Sequence, residues 1–453
     1  MNHYPRGVVN NDFNTLQPRV GFSEDLFGNG KTVLRGGFGT FFERLQGNDV
    51  FGVATSAPFD PSLGLGDNYF STPGKNWNTG SEIQPTALIF AGGAYSLAQS
   101  YKAPAVAQFS LGIQHELSPS LIWVVQYVGN LAWHQNIQNN INNMPSGIGV
   151  VNVGAPGTTV NLDARCVSGD SGNNYVAADG TKPDSACKAG FSNSGGMNAF
   201  RSYPGYTGIT QSENTTNGSY SGFQTGIRAQ NKWGLSGELD YTYSHEIDIT
   251  SYDLTTISNP WFPKYDKGSG ALDRRNMLSA NYIYKIPIFD KSTGLVHSVA
   301  GGWEVAGTFI DESGTPSSPG ESLSYDPVGL GGGYTVRPNA SAKMTYPKKI
   351  GEWFDTTKLN APVPSWLGGS SLGFGNAGKD AIVGPGRVNF TTSLYKTFAI
   401  TERARFEMRF ESFNTFNHTE FNNVNTSLNG GQYGQITSAW DPRALELGGK
   451  FIF

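Results

Sequence analysis

Charged residues are scarce in this sequence, cysteine is nearly absent, and neither sign of charge dominates. Asp, Glu, Lys and Arg make up 15% of the 453 residues, against roughly 25% in average soluble domains. The formal net charge of −4 gives no electrostatic footprint for nucleic acid or for anionic lipid. Two cysteines cannot supply the four ligands of a structural zinc site. These absences argue against nucleic-acid binding and against a zinc- or disulfide-framed scaffold.

Long apolar runs are also missing. The longest run, Ala87–Leu97, contains Gly92, Gly93 and Tyr95, and it falls short of the roughly 20 apolar residues that a membrane-spanning helix needs. Residues 1–7 lack the basic segment and the apolar core of a secretory signal peptide. We therefore predict no membrane-spanning helix and no signal peptide in the chain as written.

Turn-forming residues and a strict alternation of polar with apolar residues are abundant instead. The chain contains 59 Gly, 24 Pro and 13% aromatic residues. Between residues 403 and 411, charged side chains alternate with apolar ones, and a strand with this pattern has one charged and one apolar face. The charged series is Arg403, Arg405, Glu407, Arg409 and Glu411. Similar segments lie near residues 17–26, 32–44, 106–117, 121–133, 219–230, 234–247, 274–286, 299–312, 386–398, 402–415 and 443–453. We predict an all-β fold, an antiparallel meander of about 11 transmembrane-type strands.

The connections between these segments alternate between short and long. Short ones such as Gly28–Gly30 and Ser118–Ser120 suit tight hairpins. The long ones span about residues 45–105, 134–218, 248–273, 313–385 and 416–442. A soluble β-sandwich has no physical reason to carry its long loops at one end, whereas outer-membrane barrels have short periplasmic turns and long extracellular loops. The pattern therefore predicts a barrel whose apolar face meets lipid and whose charged face meets the lumen. If the barrel prediction holds, four aromatic residues near strand ends are expected to form interfacial girdles, and otherwise they would pack a core: Trp123, Trp303, Phe398 and Phe451.

The last strand carries apolar residues at alternate positions up to the final residue. Leu445, Leu447, Phe451 and Phe453 fall on one face of this strand. The pattern resembles the C-terminal signature of bacterial outer-membrane barrels, which the barrel assembly machinery reads. The alternative is the edge strand of a soluble protein that happens to end in Phe.

Two longer stretches are similar to the TonB-dependent, Oar-like outer-membrane receptors. Phe13–Phe22 followed by Gly30–Arg44 resembles a barrel hairpin of that family, and Phe406–Phe421 followed by Gly434–Arg443 resembles its end. The resemblance implies a 22-stranded barrel with a plugged lumen, together with an N-terminal segment that couples to TonB in the inner membrane. Eleven strands are half of such a barrel. We therefore expect residues 1–453 to be a partial TonB-dependent receptor-like β-barrel domain, without plug domain or signal peptide.

Two further motifs favour structural roles over chemistry. Phe27–Thr32 is similar to the end of a phosphate-binding loop, but Asp25 stands where the first glycine belongs, which favours a hairpin turn. His245, Glu246 and Asp248 could form a ligand cluster at a strand end, although a solvated loop edge is the favoured interpretation.

A carboxylate pair and a cysteine pair remain as candidates. Glu407 and Glu411 alternate with arginines, which favours a self-neutralising lumen wall over the acid pair of a glycosidase. Cys166 and Cys187 lie in one long loop with 20 residues between them. Exported loops mature in an oxidising compartment, so we predict a disulfide, with free thiols as the alternative. We predict no enzymatic activity, no cofactor and no metal site.

By resemblance, the intact protein is expected to be an outer-membrane receptor that takes up a bulky nutrient with energy passed through TonB. Its expected partners are outer-membrane lipid, the barrel assembly machinery, TonB and an extracellular ligand that the sequence does not identify. One alternative is a passive porin or adhesin-like barrel. A second alternative is a secreted soluble β-rich carbohydrate-binding protein or enzyme, in which the apolar strand face would be a core.

Overall fold

The computed structural model describes residues 9–10, 12–44, 46–55, 93–143, 202–203, 206, 208–289, 292, 294–321, 336–362, 374–401 and 403–453. Its main feature is a sheet of long antiparallel strands in which sequence neighbours are also spatial neighbours. The long strands are β1 (Arg19–Asp25), β2 (Thr32–Phe42), β3 (Ala105–Ser118), β4 (Leu121–Asn140), β5 (Ile209–Lys232), β6 (Leu235–Asp248), β7 (Asn276–Lys285), β8 (Trp303–Glu312), β9 (Arg387–Ala399), β10 (Arg405–Phe413) and β11 (Ala444–Ile452). This arrangement confirms the predicted all-β antiparallel meander.

Two short strands join the same sheet outside the meander. Ala94–Leu97 runs parallel to the first residues of β5, and Gly268–Ser269 pairs with the last residues of β6. Among the described residues, β1 pairs with β2 alone and β11 pairs with β10 alone. Each of these two strands therefore has one edge whose backbone groups face no neighbouring strand within the described chain.

β4 and β5 extend further than the sequence predicts. β4 continues to Asn140, and β5 already begins at Ile209. The predicted end near residue 133 coincides with a bulge after Trp133, where His134 has a φ of 55°. The alternation of side chains shifts at a bulge, which explains why the pattern is lost there although the pairing continues.

The prediction of a strand over residues 299–302 is wrong. A helix, Gly294–Ala300, occupies the first part of this range, and β8 begins only at Trp303. The helix ends before Gly302, which has a φ of 64°, a conformation that glycine adopts without strain. No helix in the described part of the chain is long and apolar enough to cross a bilayer.

The turn between β1 and β2 shows how the tight hairpins form. The Asp25 carboxylate accepts hydrogen bonds from the backbone N–H groups of Phe27 (3.3 Å) and Gly30 (2.6 Å). Gly28 and Gly30 have φ values of 66° and 73°, which favour glycine. The Gly30 N–H, which a phosphate would have needed, is bonded to Asp25, and the hairpin interpretation of this segment is confirmed.

The long connections contain small elements of their own. They include a helix (Gly47–Ala54), two 3₁₀ turns (Pro263–Asp266 and Thr356–Lys358) and four two-stranded ribbons: Pro316–Ser317 with Ile382–Val383, Gly320–Glu321 with Ser427–Leu428, Asn339–Ala340 with Leu359–Asn360, and Phe421–Val424 with Ile436–Ala439. The larger buried apolar cluster, which we call the loop core, lies among them and consists of Trp353, Phe354, Leu359, Ala377, Ile382 and Val424.

Candidate functional site: the two faces of the sheet and the loop end

The strand register places the apolar residues of neighbouring strands on one common face. Directly opposed residues of antiparallel strands point to the same side. Phe38 opposes Phe109 between β2 and β3, and Phe406 opposes Phe451 between β10 and β11. Following the register from β1 to β11 defines an apolar face and a polar face. The exposed large residues of the apolar face are Val20, Phe22, Phe38, Leu111, Ile113, Trp123, Tyr127, Leu131, Phe223, Ile227, Leu235, Leu239, Tyr243, Val388, Phe410, Leu445, Leu447 and Phe451.

This apolar face has no core beneath it in the described part of the chain. Leu239, in the middle of the sheet, is 45% exposed, and Leu447 on β11 is 77% exposed. The described buried clusters are the loop core and a smaller group formed by Ile137, Ile249 and Ile257. Soluble monomers rarely expose contiguous apolar patches of more than a few hundred Å². The face therefore requires an apolar surrounding that the described chain does not provide.

Aromatic side chains mark both ends of the apolar face. Trp123, Trp303, Phe398 and Phe451 all lie at the end that carries the short turns. At the opposite end, the rings of Phe42 and Trp133 meet edge to face with their centroids 6.1 Å apart. This distribution is the one expected for interfacial aromatic girdles.

The polar face contains the predicted charged wall. Arg405, Glu407, Arg409 and Glu411 share this face of β10, whereas Arg403 precedes the strand, with its backbone N–H bonded to the Thr401 hydroxyl. Arg409 Nε lies 2.6 Å from a Glu407 carboxylate oxygen, and its guanidinium lies 5.5 Å from the Tyr395 ring centroid.

The last strand adds two charged residues to this wall that were not predicted from the sequence. Lys450 stands directly opposite Glu407, and Glu446 stands opposite Glu411. Lys450 and Glu446 alternate with Leu445, Leu447 and Phe451, so the same periodicity that exposes the apolar positions could have identified them.

A second charged pair lies on the polar face near the middle of the sheet. Arg228 of β5 donates two hydrogen bonds to the Glu238 carboxylate of β6, at 2.9 and 3.0 Å, and Gln126 donates to Gln224 at 2.7 Å. These groups line a cavity of about 310 Å³. Charges are thus paired within the sheet surface, which suits a face in contact with water.

The predicted assembly signal lies on an open strand. Leu445, Leu447 and Phe451 belong to the apolar face of β11, and Phe453 follows the end of that strand with 95% of its surface exposed. The Phe451 ring packs against Phe406, with ring centroids 4.7 Å apart. Their role in assembly stays a prediction.

Among the remaining candidates, those that the structure describes do not form a chemical site, and the cysteine pair stays a prediction. Cys166 and Cys187 lie outside the described residues. His245 Nδ1 lies 2.9 Å from an Asp273 carboxylate oxygen, and Asp248 is paired with Lys379. Among the described residues, no group of three or more His, Cys, Asp or Glu side chains is arranged to hold a metal ion.

An arginine anchors two of the long loops to each other. Arg337 is 2% exposed, and its guanidinium lies 2.6 Å from the Asp266 carboxylate and 3.7 Å from the Tyr265 ring centroid. Arg337 Nε also donates to the Ala377 carbonyl at 2.9 Å. Sequence reasoning missed this cluster because the partners are far apart in the chain and follow no periodic pattern.

A carboxyl group without a hydrogen-bond partner lies near the loop core. Glu321 lies in a short strand in which it pairs with Leu428 of the neighbouring strand. Within the described chain, neither of its carboxyl oxygens has a hydrogen-bond partner. Burial raises the pKa of Glu321 to about 7. The hydroxyl of Tyr433, which packs against the loop core, is also without a described partner, and burial raises the pKa of Tyr433 to about 12.

The chain is also similar to solved structures of larger proteins. They include the outer membrane transporter YddB of Escherichia coli (10% identity, 96% of this chain and 40% of that chain, TM-score 0.45) and the siderophore receptor PirA of Acinetobacter baumannii (11% identity, 96% and 40%, TM-score 0.42). A third is the ferripyoverdine receptor of Pseudomonas aeruginosa (11% identity, 96% and 32%, TM-score 0.38). The chain spans less than half of the length of these proteins.

At the level of sequence, no curated protein matches the chain. The family model of an outer membrane beta barrel domain matches residues 1–446. This match places the chain in the outer membrane and agrees with the prediction that it is not an enzyme. The sequence therefore belongs to the outer membrane beta barrel domain family.

Proposed function

We propose that the chain forms part of the barrel of a TonB-dependent receptor that takes up a bulky nutrient, such as a carbohydrate, a peptide or a metal chelate. The observation that carries this proposal is the exposed apolar face opposite a polar face with paired charges. Lipid would cover the first face, and the second would line a water-filled lumen. The resemblance of Phe13–Phe22 and Phe406–Phe421 to the Oar-like receptors supports the TonB-dependent class.

Under this proposal residues 1–453 are a partial barrel domain. The sheet supplies eleven long strands, half of the 22 in plugged outer-membrane transporters. Further strands would pair with the open edges of β1 and β11, because unpaired backbone groups cannot face lipid. A plug and a TonB-coupling segment would belong to the rest of the intact protein.

The end of the sheet that carries the long loops supports a receptor role, because two of these loops are held together by side-chain contacts. Arg337, Asp266 and Tyr265 fix two long loops against each other, and ordered loops on a rigid scaffold are common sites of ligand recognition. A passive barrel or an adhesin would use the same lipid-facing and lumen-facing surfaces, so energy dependence is the property that separates the two functions.

The test is uptake by the native gene, including any in-frame coding sequence upstream of Met1, in a strain that lacks its own receptors. Accumulation of radiolabelled ferric citrate, vitamin B12 and maltoheptaose is measured with and without TonB. We expect one of these probes to accumulate only when both the gene and TonB are present. Accumulation that persists without TonB would contradict active uptake and favour a passive barrel.

A further inference from the structure

The connection between β7 and β8 differs from a simple hairpin turn. It contains the helix Gly294–Ala300, and we use the term interface segment for residues 286–289 and 294–302. The segment lies at the short-turn end of the sheet, where the backbone N–H of Ile286 donates to the Trp303 carbonyl at 2.9 Å.

Two residues of the apolar face hold the C-terminal end of this helix. Trp303 and Lys396 oppose each other directly between β8 and β9. The Trp303 indole N–H donates to the Val299 carbonyl at 3.0 Å, and the Lys396 ammonium donates to the Gly301 carbonyl. Because both side chains project from the apolar face, the end of the helix lies over that face and not over the polar one.

The charge of Lys396 explains why the C-terminal end of the helix lies over the apolar face. Lys396 is 2% exposed, and an ammonium group on a lipid-facing surface is costly unless it has a partner. Carbonyl groups at a helix C-terminus carry partial negative charge and favour a cation. The rings of Trp303 and Phe398 lie 5.8 and 5.4 Å from the ammonium nitrogen, which adds cation–π stabilisation.

Among the described residues, the interface segment exposes four large apolar side chains, next to the polar side chains of His297 and Ser298. Ile288, Phe289, Val296 and Val299 are each about half exposed or more, with values of 58%, 49%, 52% and 60%. Gly301 allows the compact fold of the segment, because a Cβ atom there would stand 2.9 Å from the Phe289 carbonyl oxygen.

We propose that Ile288, Phe289, Val296 and Val299 insert into the periplasmic leaflet of the outer membrane and anchor this end of the sheet in the plane of the lipid. The inference rests on the proposed lipid contact of the apolar face. Lipid is the occupant that fits, because the segment is joined to that face through Trp303 and Lys396, and because exposed apolar side chains beside a lipid-facing surface can be buried at the headgroup boundary.

The experiment measures the environment of single labelled sites in the intact protein, expressed with any in-frame coding sequence upstream of Met1, so that the edges of β1 and β11 have their partners in lipid. Cys166→Ser and Cys187→Ser remove the native thiols, and Val296→Cys receives an environment-sensitive NBD fluorophore. The protein is reconstituted into phosphatidylethanolamine–phosphatidylglycerol vesicles, and the emission is quenched either by nitroxide-labelled lipid or by aqueous iodide. Leu447→Cys on the apolar face is the lipid control, and Asn29→Cys in the β1–β2 turn is the aqueous control.

We expect the Val296 site to be quenched by nitroxide lipid to within about twofold of the Leu447 site, and to be protected from iodide relative to the Asn29 site. Iodide quenching equal to that at Asn29, with Leu447 still in lipid, would overturn the anchor alone. Aqueous behaviour at both Val296 and Leu447 would overturn the proposed lipid contact itself. In native outer membranes, iodide protection at Val296 without nitroxide quenching would identify a protein partner and would also overturn the anchor.

Lys396→Met tests how the helix is held, because methionine keeps an unbranched apolar chain but cannot donate to Gly301. We expect iodide quenching at the Val296 site to rise by about twofold, with no change at the Leu447 site and an unchanged strand signal in circular dichroism. Unchanged quenching at Val296 would show that Lys396 does not position the helix.

Discussion

Trp123 and Trp133 lie ten positions apart on the same face of β4. At a rise of about 3.3 Å per residue, their backbones are separated by about 33 Å along the strand. The strands of outer-membrane barrels tilt by about 35–45°, which projects this separation onto about 23–27 Å along the membrane normal. The apolar band of such barrels is about 25 Å tall and has an aromatic girdle at each border. The separation of the two tryptophans along the membrane normal therefore matches the distance between the two borders of the apolar band.

Leu111→Arg is expected to destabilise the lipid-inserted sheet by about 2–4 kcal/mol, because it places a guanidinium near the middle of the apolar face. Leu111 is exposed on that face opposite Tyr127. Ser110→Arg is the matched control, because Ser110 is the adjacent residue on the polar face. The free energy of unfolding is measured by urea titration in lipid vesicles. Equal effects of the two substitutions would contradict the assignment of the faces.

Phe453→Asp, or deletion of Phe453, is expected to lower the amount of intact protein in the outer membrane with little effect on translation. The physical reason is the loss of the exposed terminal aromatic that continues the apolar face beyond β11. Ile452→Ser, the neighbouring position on the other face, is the control. Quantitative blotting of the outer-membrane fraction measures the effect, and equal amounts of Phe453→Asp and wild type would contradict the assembly role.

The loop end is expected to lose stability as the pH rises through about 7. The pKa of Glu321 is raised to about 7 in the folded protein, so the protonated carboxyl group fits the folded loops better than the carboxylate. Its stabilising contribution is complete below the ordinary glutamate pKa, declines as the pH rises and is lost above the folded value. Hydrogen exchange of residues 336–362 at pH 5 and pH 8 measures this dependence. Glu321→Gln should flatten it, and an unchanged dependence in that variant would assign the effect to another group.

Cys166 and Cys187 are expected to be bridged in the exported protein. Closing a loop with 20 residues between the cysteines restricts the unfolded chain by about 3 kcal/mol in the entropy model. Mass spectrometry after alkylation under non-reducing conditions should find neither thiol modified, and a reduced sample is the control for reactivity. Alkylation of both cysteines without reduction would argue against the bridge.

The strands could be predicted because one physical constraint acts on all of them. Each strand presents one face to an apolar surrounding and one face to water. Polar and apolar residues therefore alternate along segments such as 403–411. The helix Gly294–Ala300 was missed because the stretch after Ile286 was predicted to be a turn and Val299 was assigned to the strand that follows it. The pairing of Arg337 with Asp266 could not be predicted, because buried ion pairs between distant loops leave no periodic trace in the sequence.

The loop core folds in water, whereas the apolar face of the sheet is proposed to fold in contact with lipid. Trp353, Phe354 and their neighbours leave water when the loops fold, so their unfolding should raise the heat capacity and respond to urea as in a water-soluble domain. Under the proposed lipid contact, the apolar face of the sheet is surrounded by lipid both before and after the strands separate inside a bilayer. Lipid is as apolar as these side chains, so their unfolding there exposes no apolar surface to water. A single melting temperature then cannot describe the protein, and a calorimetric scan in lipid should resolve an early loop transition before the strands separate.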